Sequence, residues 1–354
     1  MKKIYMVMDM QFGSTGKGLL AGYLAMREKP DVVMTAWGPN AGHTYIDESG
    51  RGFIHCMLAN GVVSPNLKAI LIGPGSVIDL DRLSAEIFQC HDLLWHKEIV
   101  IHPQAVVVTQ EHRDTEARNI KIGSTMKGTG AAVIERIERD PDNNPTAIAQ
   151  ITPEWCQFIH DAGIRISVDA GRYDDVIKSA EVIQVEGAQG YSLSIYHGMY
   201  PYTTSRDVTP AQVMADCAIP FSMVPEVYGT LRTYPIRVSN RKSKEGDLVG
   251  TSGPGYPDQV ELDWEKDMGM EPELTTVTQL PRRIFTFSFT QLDEASFRCA
   301  PTKLFLNFAN YMPNDDVEDL IHRIEKTSGS KVAWVGIGPA DGDVIERDKW
   351  MHCS

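Results

Sequence analysis

The sequence predicts an α/β fold, a large central, mostly parallel sheet wrapped by helices, and three observations carry that expectation. Short apolar runs of strand length alternate with stretches of helical periodicity along most of the chain. A glycine-rich turn joins the first such run to the first helical stretch. The composition, 42% hydrophobic and 23% charged over 354 residues, is that of a chain able to bury a sizeable core. It excludes intrinsic disorder, collagen and coiled coil.

Taken in order, Ile4 to Met10 reads as a buried strand ending in a glycine-containing turn. Leu19, Leu20, Tyr23 and Leu24 then fall at helical spacing. Asp31–Trp37 and Ala69–Ile72 are expected as buried strands, with turn chemistry in Gly73-Pro74-Gly75. A helix is expected over Asp81–Leu94, one or two short strands over Glu98–Val108, and a strand over Val182–Val185. Val317, Leu320, Ile321 and Ile324 form one helical face, Ser328-Gly329 ends that helix, and Val332–Ile337 supplies a final strand. Ser239–Asp267, rich in Lys, Gly, Pro and Asp, is expected as a long surface loop or insertion lying over a site. No internal repeat or linker tract interrupts the chain, so residues 1–354 are expected to form a single domain with inserted loops.

Thirty-four Lys and Arg against 47 Asp and Glu give a formal charge of −13. Such an acidic chain is a poor non-specific ligand for nucleic acid or anionic membrane, so neither is expected as a partner. The six cysteines (56, 90, 156, 217, 299, 353) are scattered without a C-x-x-C pair, which fits a reducing compartment better than a disulfide framework. The N-terminus lacks the apolar run of a signal peptide, and no segment approaches the roughly 18 apolar residues of a membrane span. A cytoplasmic location is the expectation.

The first chemical signal is Gln11-Phe12-Gly13-Ser14-Thr15-Gly16-Lys17-Gly18. Glycines let backbone N–H groups approach a phosphate, the helix N-terminus favours negative charge, and Lys17 adds a point charge. The glycine spacing is shorter than in the strict Walker pattern, and Gly18 stands where that pattern has Ser or Thr. Alone, the turn is equally consistent with strand–helix punctuation. It is followed in order by Asn40-Ala41-Gly42-His43-Thr44, then Gly123-Ser124-Thr125-x-Lys127-Gly128 and Glu186-Gly187-Ala188-Gln189-Gly190. His197-Gly198-x-Tyr200-Pro201-Tyr202-Thr203-Thr204-Ser205 and the terminal Gly336-Ile337-Gly338-Pro339 complete the series.

These blocks resemble the signature of the adenylosuccinate synthetase family in its short form, over nearly the whole chain. The resemblance implies that family's fold, a homodimer, and a magnesium-dependent ligase reaction in two steps. A nucleoside triphosphate phosphorylates O6 of a purine monophosphate, and the amine of L-aspartate then displaces that phosphate at C6. By the same resemblance, Ser14, Lys17, His43 and Gln189 stand at catalytic positions, His43 as the donor that stabilises phosphoryl transfer. Gly13 to Gly18, Gly42, His43, Thr44, Asn307, Asn310, Gly336, Gly338 and Pro339 match positions around the triphosphate donor. Ser14, Asn40, Ser124, Thr125, Gln189, Thr204 and Leu280 match those around the monophosphate, and Arg139 the arginine that reaches across the dimer to its 5′-phosphate. Thr275, Thr276, Val277, Thr278 and Arg282 match the aspartate-binding stretch, Arg282 offering a forked contact to a carboxylate. Ser14 and Gly42 match the magnesium ligands.

Three departures from the family pattern bear on substrate. Ser14 stands where the family has an aspartate that acts as base and metal ligand; a hydroxyl is smaller, uncharged and a poor base, which leaves room for a 2-amino group on the purine. Leu280 stands where the family has an arginine that contacts the ribose. A buried 2′-hydroxyl there would lack a partner at a cost of about 1–3 kcal/mol, so a deoxyribose suits the site. Asn307-Phe308-Ala309-Asn310 stands in place of the family's guanine-reading Thr-Lys-Leu-Asp, and its amide and aromatic ring fit adenine better. Together the departures resemble the phage-type branch, which joins aspartate to dGMP using ATP or dATP and gives N6-succino-2-amino-2′-deoxyadenylate. The second reading is an ordinary adenylosuccinate synthetase using IMP and GTP; the third is a catalytically silent nucleotide-binding protein.

Overall fold

The structure, a computed structural model, describes residues 2–119, 126–242, 248–275 and 280–350. Its frame is a ten-stranded sheet. In chain order its strands are β1 (Lys3–Asp9), β2 (Val32–Thr35), β3 (Ala69–Ile72), β4 (Glu98–Ile101) and β5 (Arg165–Val168). They continue with β6 (Val182–Glu186), β7 (Glu226–Arg232), β8 (Lys303–Asn307), β9 (Lys331–Gly336) and β10 (Val344–Glu346). The spatial order is β10-β9-β8-β7-β1-β6-β2-β3-β4-β5. Every neighbouring pair is parallel except β9 with β10.

Period-two alternation explains how the sheet buries both faces. Along β1, Tyr5 and Val7 enter one core with Leu20, Ile70 and Ile99, while Ile4, Met6 and Met8 enter the other with Met34, Leu71, Val100 and Val185. A strand buried on both sides reads as a continuous apolar run, which is why β1, β2, β3, β6 and β9 were legible in the sequence. A third core under β8 and β9 receives Val317, Leu320, Ile321 and Ile324 from the helix Asn314–Ser328, which Gly329 ends in the left-handed region at φ 70°.

β1 lies between β6 and β7, so the strands from β2 to β6 fill one side of it and β7 to β10 the other. Parallel sheets of this kind leave a crevice beyond the carboxyl ends of their strands at such a reversal. The glycine-rich turn leaves β1 into that crevice, and helix α1 (Lys17–Glu28) returns from it.

Some expectations are corrected. The single helix over Asp81–Leu94 is two pieces, Leu80–Gln89 and His91–Leu94, which part at Cys90. The periodicity ran through because Leu83, Ile87 and Leu94 enter the same core from both pieces. Glu98–Val108 divides into β4 and a two-residue strand at Val106–Val107. The segment Ser239–Asp267, where described, is more than a surface loop: Ser252, Tyr256 and Trp264 are buried, and Glu261–Leu262 pairs with Arg283–Phe285. β7 carries no clear sequence signal, because Gly229 and Thr230 interrupt its apolar run. Gly229 is needed there, since a Cβ would press on Leu304 of β8 and on Met10, which follows β1.

Helix α1 lies on the hairpin formed by His43–Ile46 and Gly52–His55, and Gly22 makes the approach possible: a Cβ at this position would overlap the ring of Tyr45, itself fully buried. Gly22→Ala therefore inverts the usual helix preference. Alanine gains up to about 1 kcal/mol of helix propensity, but overpacking costs about 1–3 kcal/mol. We expect a lower urea midpoint than wild type, and a raised midpoint would contradict this packing.

Candidate active site

A cavity of about 1240 Å³ is lined by the segments that follow β1, β6, β7 and β8, together with the hairpin after β2. It exceeds the roughly 300–1,000 Å³ of an ordinary single-ligand pocket.

Its floor is the turn after β1. Gly13, Ser14 and Gly16 all have positive φ (99°, 56° and 94°), and no side chain caps the start of α1 at Gly16, so the first turn of the helix is left to an anion. Gly16 also could not carry a side chain, because its Cβ would overlap the Asn307 amide. The conformation is held from beneath by Asp9, the last residue of β1. Its Oδ1 accepts from the Gln11 and Gly13 amides at 2.8 and 3.2 Å, and its Oδ2 from Thr15 Oγ1 at 2.5 Å and Lys17 Nζ at 3.1 Å. Both Asp9 and Lys17 are buried. Asp9 was missed in the sequence, although a lone acid ending an apolar strand was a signal.

His43 enters from the hairpin and meets Glu186 at the end of β6. Its Nδ1 lies 2.7 Å from Glu186 Oε1, while the Asn60 N–H donates to Glu186 Oε2 at 2.7 Å. Trp37 meets the imidazole edge-on at 4.2 Å between centroids. Burial holds the His43 pKa well below its usual value, reinforced by Lys17 and opposed by Asp9. Burial likewise pushes Glu186 up to about 8, against the pull of the Asn60 N–H and Lys17. Burial thus disfavours the charged form of each group at the point where the two meet.

The opposite wall is built from the ends of β7 and β8. Arg232, fully buried, donates to Glu273 at 2.5 Å and to the Ser14 carbonyl at 3.3 Å, and Tyr311 donates to the same carboxylate at 2.9 Å. Burial alone would raise the Glu273 pKa, but Arg232 outweighs it and the net direction is down. The Arg232 guanidinium lies 3.8 Å from the Phe308 ring centroid, fixing a ring that borders the cavity. Arg282 donates to Ser14 Oγ at 2.9 Å, so the aspartate-binding candidate already touches the phosphate loop. Neither the Arg232–Glu273 pair nor its tie to Tyr311 had a signal in the sequence, because the three residues come from distant segments.

Most of the predicted residues share this cavity: Gly13, Ser14, Gly16, Lys17, Gly18, Asn40, Gly42, His43, Thr44, Gln189, Thr204, Thr275, Leu280, Arg282, Asn307, Asn310, Gly338 and Pro339 all line it. Three expectations change. The Thr15 side chain turns inward to Asp9 and Thr230 and is absent from the lining, because the buried carboxylate needs its hydroxyl. Gly336 lies behind the wall, where a Cβ would overlap Asn307. Asn307 spends its amide on its own surroundings, accepting from the Phe308 N–H at 2.8 Å and donating to the Thr15 carbonyl at 3.4 Å. Arg139 is exposed and away from the cavity of its own chain. Ser124, Thr125, Thr276, Val277 and Thr278 lie outside the described residues.

The sequence profile described as adenylosuccinate synthetase matches residues 6–143 and 148–310. The chain belongs to the adenylosuccinate synthetase family. Among its relatives, the N6-succino-2-amino-2′-deoxyadenylate synthase of Salmonella phage PMBT28 is 51% identical, over 97% of each chain. The succinoaminodeoxyadenylate synthetase of cyanophage S-2L, solved with dGMP and with dATP as an energy donor, superposes with a TM-score of 0.87 at 45% identity. That match covers 98% of this chain and 95% of the other. The Plasmodium falciparum adenylosuccinate synthetase, 18% identical with a TM-score of 0.77 over 98% of this chain and 100% of its own, shares the family's fold.

Asp9 is open to test independently of any substrate. Asp9→Ala strands the Lys17 ammonium and orphans two loop amides, which is expected to cost about 3–5 kcal/mol. Asp9→Ala/Lys17→Met should recover part of that loss, since no buried charge is then left unpaired. Urea unfolding of the three chains decides it, and a fully stable Asp9→Ala would remove this role.

Proposed function

We infer that the protein is a ligase that joins L-aspartate to C6 of dGMP at the expense of ATP or dATP. The products are N6-succino-2-amino-2′-deoxyadenylate, ADP or dADP, and phosphate. The observation that carries the reading is the meeting of Ser14 and Leu280 in the cavity that also holds the phosphate loop and His43. At the two places where hypoxanthine and ribose would call for a carboxylate and an arginine, this chain offers a small hydroxyl and an apolar side chain. The names of the phage relatives agree with that reading.

The γ-phosphoryl group passes to O6 over the loop, where Lys17 and the N-terminus of α1 meet its charge. His43 donates to the charge developing on the transferred group. Aspartate, held through its carboxylate by Arg282, then attacks C6 with its amine; the C6–N bond forms, the C6–O bond breaks and phosphate departs. Phe308 supplies a stacking face for the donor's adenine and Asn310 an amide for its edge. Asn40, Gln189 and Thr204 hold the nucleotide monophosphate.

Magnesium is part of this reading. Among the described residues no cluster of three or more His, Cys, Asp or Glu could cage a metal, which fits a hard cation held mainly by substrate phosphates and waters. The Gly42 carbonyl, on an exposed turn facing the cavity, and the Ser14 hydroxyl are the protein groups suited to complete its shell. When bound, the ion would neutralise phosphate charge.

A homodimer is also proposed. Ile134 and Ile137 stand 59% and 66% exposed on the helix Thr129–Glu138, one turn apart, and Arg139 follows directly. That apolar face suits a second copy, and it would carry Arg139 to the partner's nucleotide phosphate. The five described cysteines are free thiols, in keeping with a cytoplasmic protein, in the host cell if the chain is phage-encoded.

Phosphate release measured with IMP, GMP and dGMP, each against ATP, dATP and GTP, tests the reaction. Turnover should be greatest with dGMP and an adenine nucleotide, and a preference for IMP with GTP would overturn the reading. Leu280→Arg should narrow the gap between GMP and dGMP; an unchanged ratio would refute the ribose argument alone.

The shared site is tested by mixing. Arg139→Leu and Lys17→Ala should each be nearly inactive. Together they should recover about a quarter of wild-type activity, because random pairing gives roughly half heterodimers with one intact site each. No recovery in demonstrated heterodimers would place Arg139 outside the partner's site.

A further inference from the structure

We propose that Asp341 is a positioning residue, which fastens the hairpin of His43 to the turn of Gly338 and Pro339 so that the imidazole and the donor nucleotide are held in register. The inference rests on the roles proposed above for His43 and that turn, and it adds a carboxylate to which the sequence resemblance assigned nothing.

Asp341 is buried two residues past Pro339 and is absent from the cavity lining. Its carboxylate takes three bonds from two other elements. Tyr45 Oη donates to Oδ1 at 2.8 Å, and the Arg27 guanidinium forks onto Oδ1 and Oδ2 at 3.2 and 3.0 Å. Arg27 also donates to the Tyr23 carbonyl at 3.0 Å and lies 3.5 Å from the centroid of the Tyr23 ring. A backbone bridge between Ile46 and Ala340 runs beside these contacts.

The three elements that meet here each contribute to the cavity. Helix α1 starts at Lys17, the hairpin starts at His43, and the turn supplies Gly338 and Pro339. Two glycines already seat α1 on the hairpin: a Cβ on Gly18 would overlap the Thr44 backbone, and one on Gly22 the Tyr45 ring. The turn is closed on itself. Asp343 Oδ2 accepts from the Ala340 N–H at 2.9 Å, the Ile337 N–H donates to the Asp343 carbonyl at 3.0 Å, and a Cβ on Gly338 would overlap the Asp343 carboxylate. So tight a turn moves as a unit, and fastening Asp341 fastens Gly338 and Pro339 with it.

The consequence is registration. His43 and Tyr45 project from the same side of one strand, about 7 Å apart, so the hold on Tyr45 Oη is also a hold on the imidazole. Phosphoryl transfer is sensitive to placement, and a misplacement of about 1 Å can cost about 10²-fold. Here the side chain that meets the transferred group and the turn that meets the donor refer to one carboxylate. Cutting the Tyr45–Asp341 bond lets the two drift apart. The groups proposed for dGMP and aspartate at Gln189, Thr204 and Arg282 come from other segments and keep their places.

The test centres on Tyr45→Phe, which keeps the ring on Gly22 and removes only the hydroxyl. Asp341→Ala, Asp341→Asn, His43→Ala and Tyr45→Phe/His43→Ala complete the set. The asparagine amide oxygen can still accept from Tyr45. In the full-length protein with dGMP, ATP and aspartate, assayed well below the unfolding temperature of each variant, Tyr45→Phe should lower kcat by about tenfold. KM for dGMP and for aspartate should stay within about threefold. Asp341→Ala should lose at least as much, and Asp341→Asn should return to within about threefold of wild type. The double variant should be no slower than His43→Ala, since the hydroxyl acts through the imidazole. A tie that served stability alone would lower the urea midpoint and leave kcat of the folded protein unchanged. If Asp341→Ala does not fold, Tyr45→Phe and Asp341→Asn decide the matter between them.

Near-normal kcat for Tyr45→Phe, an asparagine variant as slow as Tyr45→Phe, KM values for dGMP and aspartate that rise as far as kcat falls, or fully additive losses in the double variant would each overturn the proposal. An inactive His43→Ala beside a fully active Tyr45→Phe would overturn it while leaving the reaction intact. Near-normal turnover by His43→Ala would remove the histidine's catalytic role, and this inference with it.

Discussion

The buried pair of Asp9 and Lys17 is the constraint on which the site depends. A carboxylate and an ammonium removed from water are each costly, and the cost is offset only when geometry and further hydrogen bonds are good. Here four donors converge on the two oxygens of Asp9, two of them amides of the phosphate loop. The carboxylate thus fixes the loop's positive-φ backbone and the direction of Lys17 together. Because α1 begins at Lys17 and lies against the hairpin that carries His43, one interaction at the end of β1 sets the position of two catalytic candidates.

The second determinant is topology. Parallel strands deliver their carboxyl ends to one edge, and the reversal at β1 opens that edge into a crevice. Asp9, Glu186, Arg232 and Asn307 are the last residues of β1, β6, β7 and β8, four polar side chains ending largely apolar strands. Each is buried and spent largely on support: Asp9 on the loop, Glu186 on His43, Arg232 on Glu273 and Phe308, and Asn307, which also borders the cavity, on its flanking backbone. The other lining residues sit one layer further out, on turns that these four help to hold in place.

The proposed substrate preference rests on what this support leaves exposed. Ser14 lies at the lip of the loop in a left-handed conformation, with Arg282 bonded to its hydroxyl and Arg232 to its carbonyl. The arginine proposed to bind aspartate and the residue proposed to face the purine are therefore neighbours. Leu280 closes the same stretch, its N–H donating to Thr275 Oγ1 and its side chain 40% exposed at the cavity wall. A small hydroxyl and an apolar wall at these two points are a coherent response to a purine with an extra amino group and a sugar lacking its 2′-hydroxyl.

The sequence by itself indicated the α/β class, strands β1 to β4, β6 and β9, the helix of Val317 to Ile324, and eighteen of the residues that border the cavity. These signals are local: apolar runs, helical periodicity and glycine-rich blocks survive in one dimension. β7 stayed hidden because its close contacts with β1 and β8 require Gly229, which weakens any strand signal. The inward turn of Thr15, the retreat of Gly336 behind Asn307 and the clamps by Asp9 and Glu186 were decided only in three dimensions. Their partners are brought together by the pairing of β1 with β6 and β7. His43 and Glu186 lie 143 positions apart, and their 2.7 Å contact exists only once the sheet has brought the end of β6 beneath the hairpin.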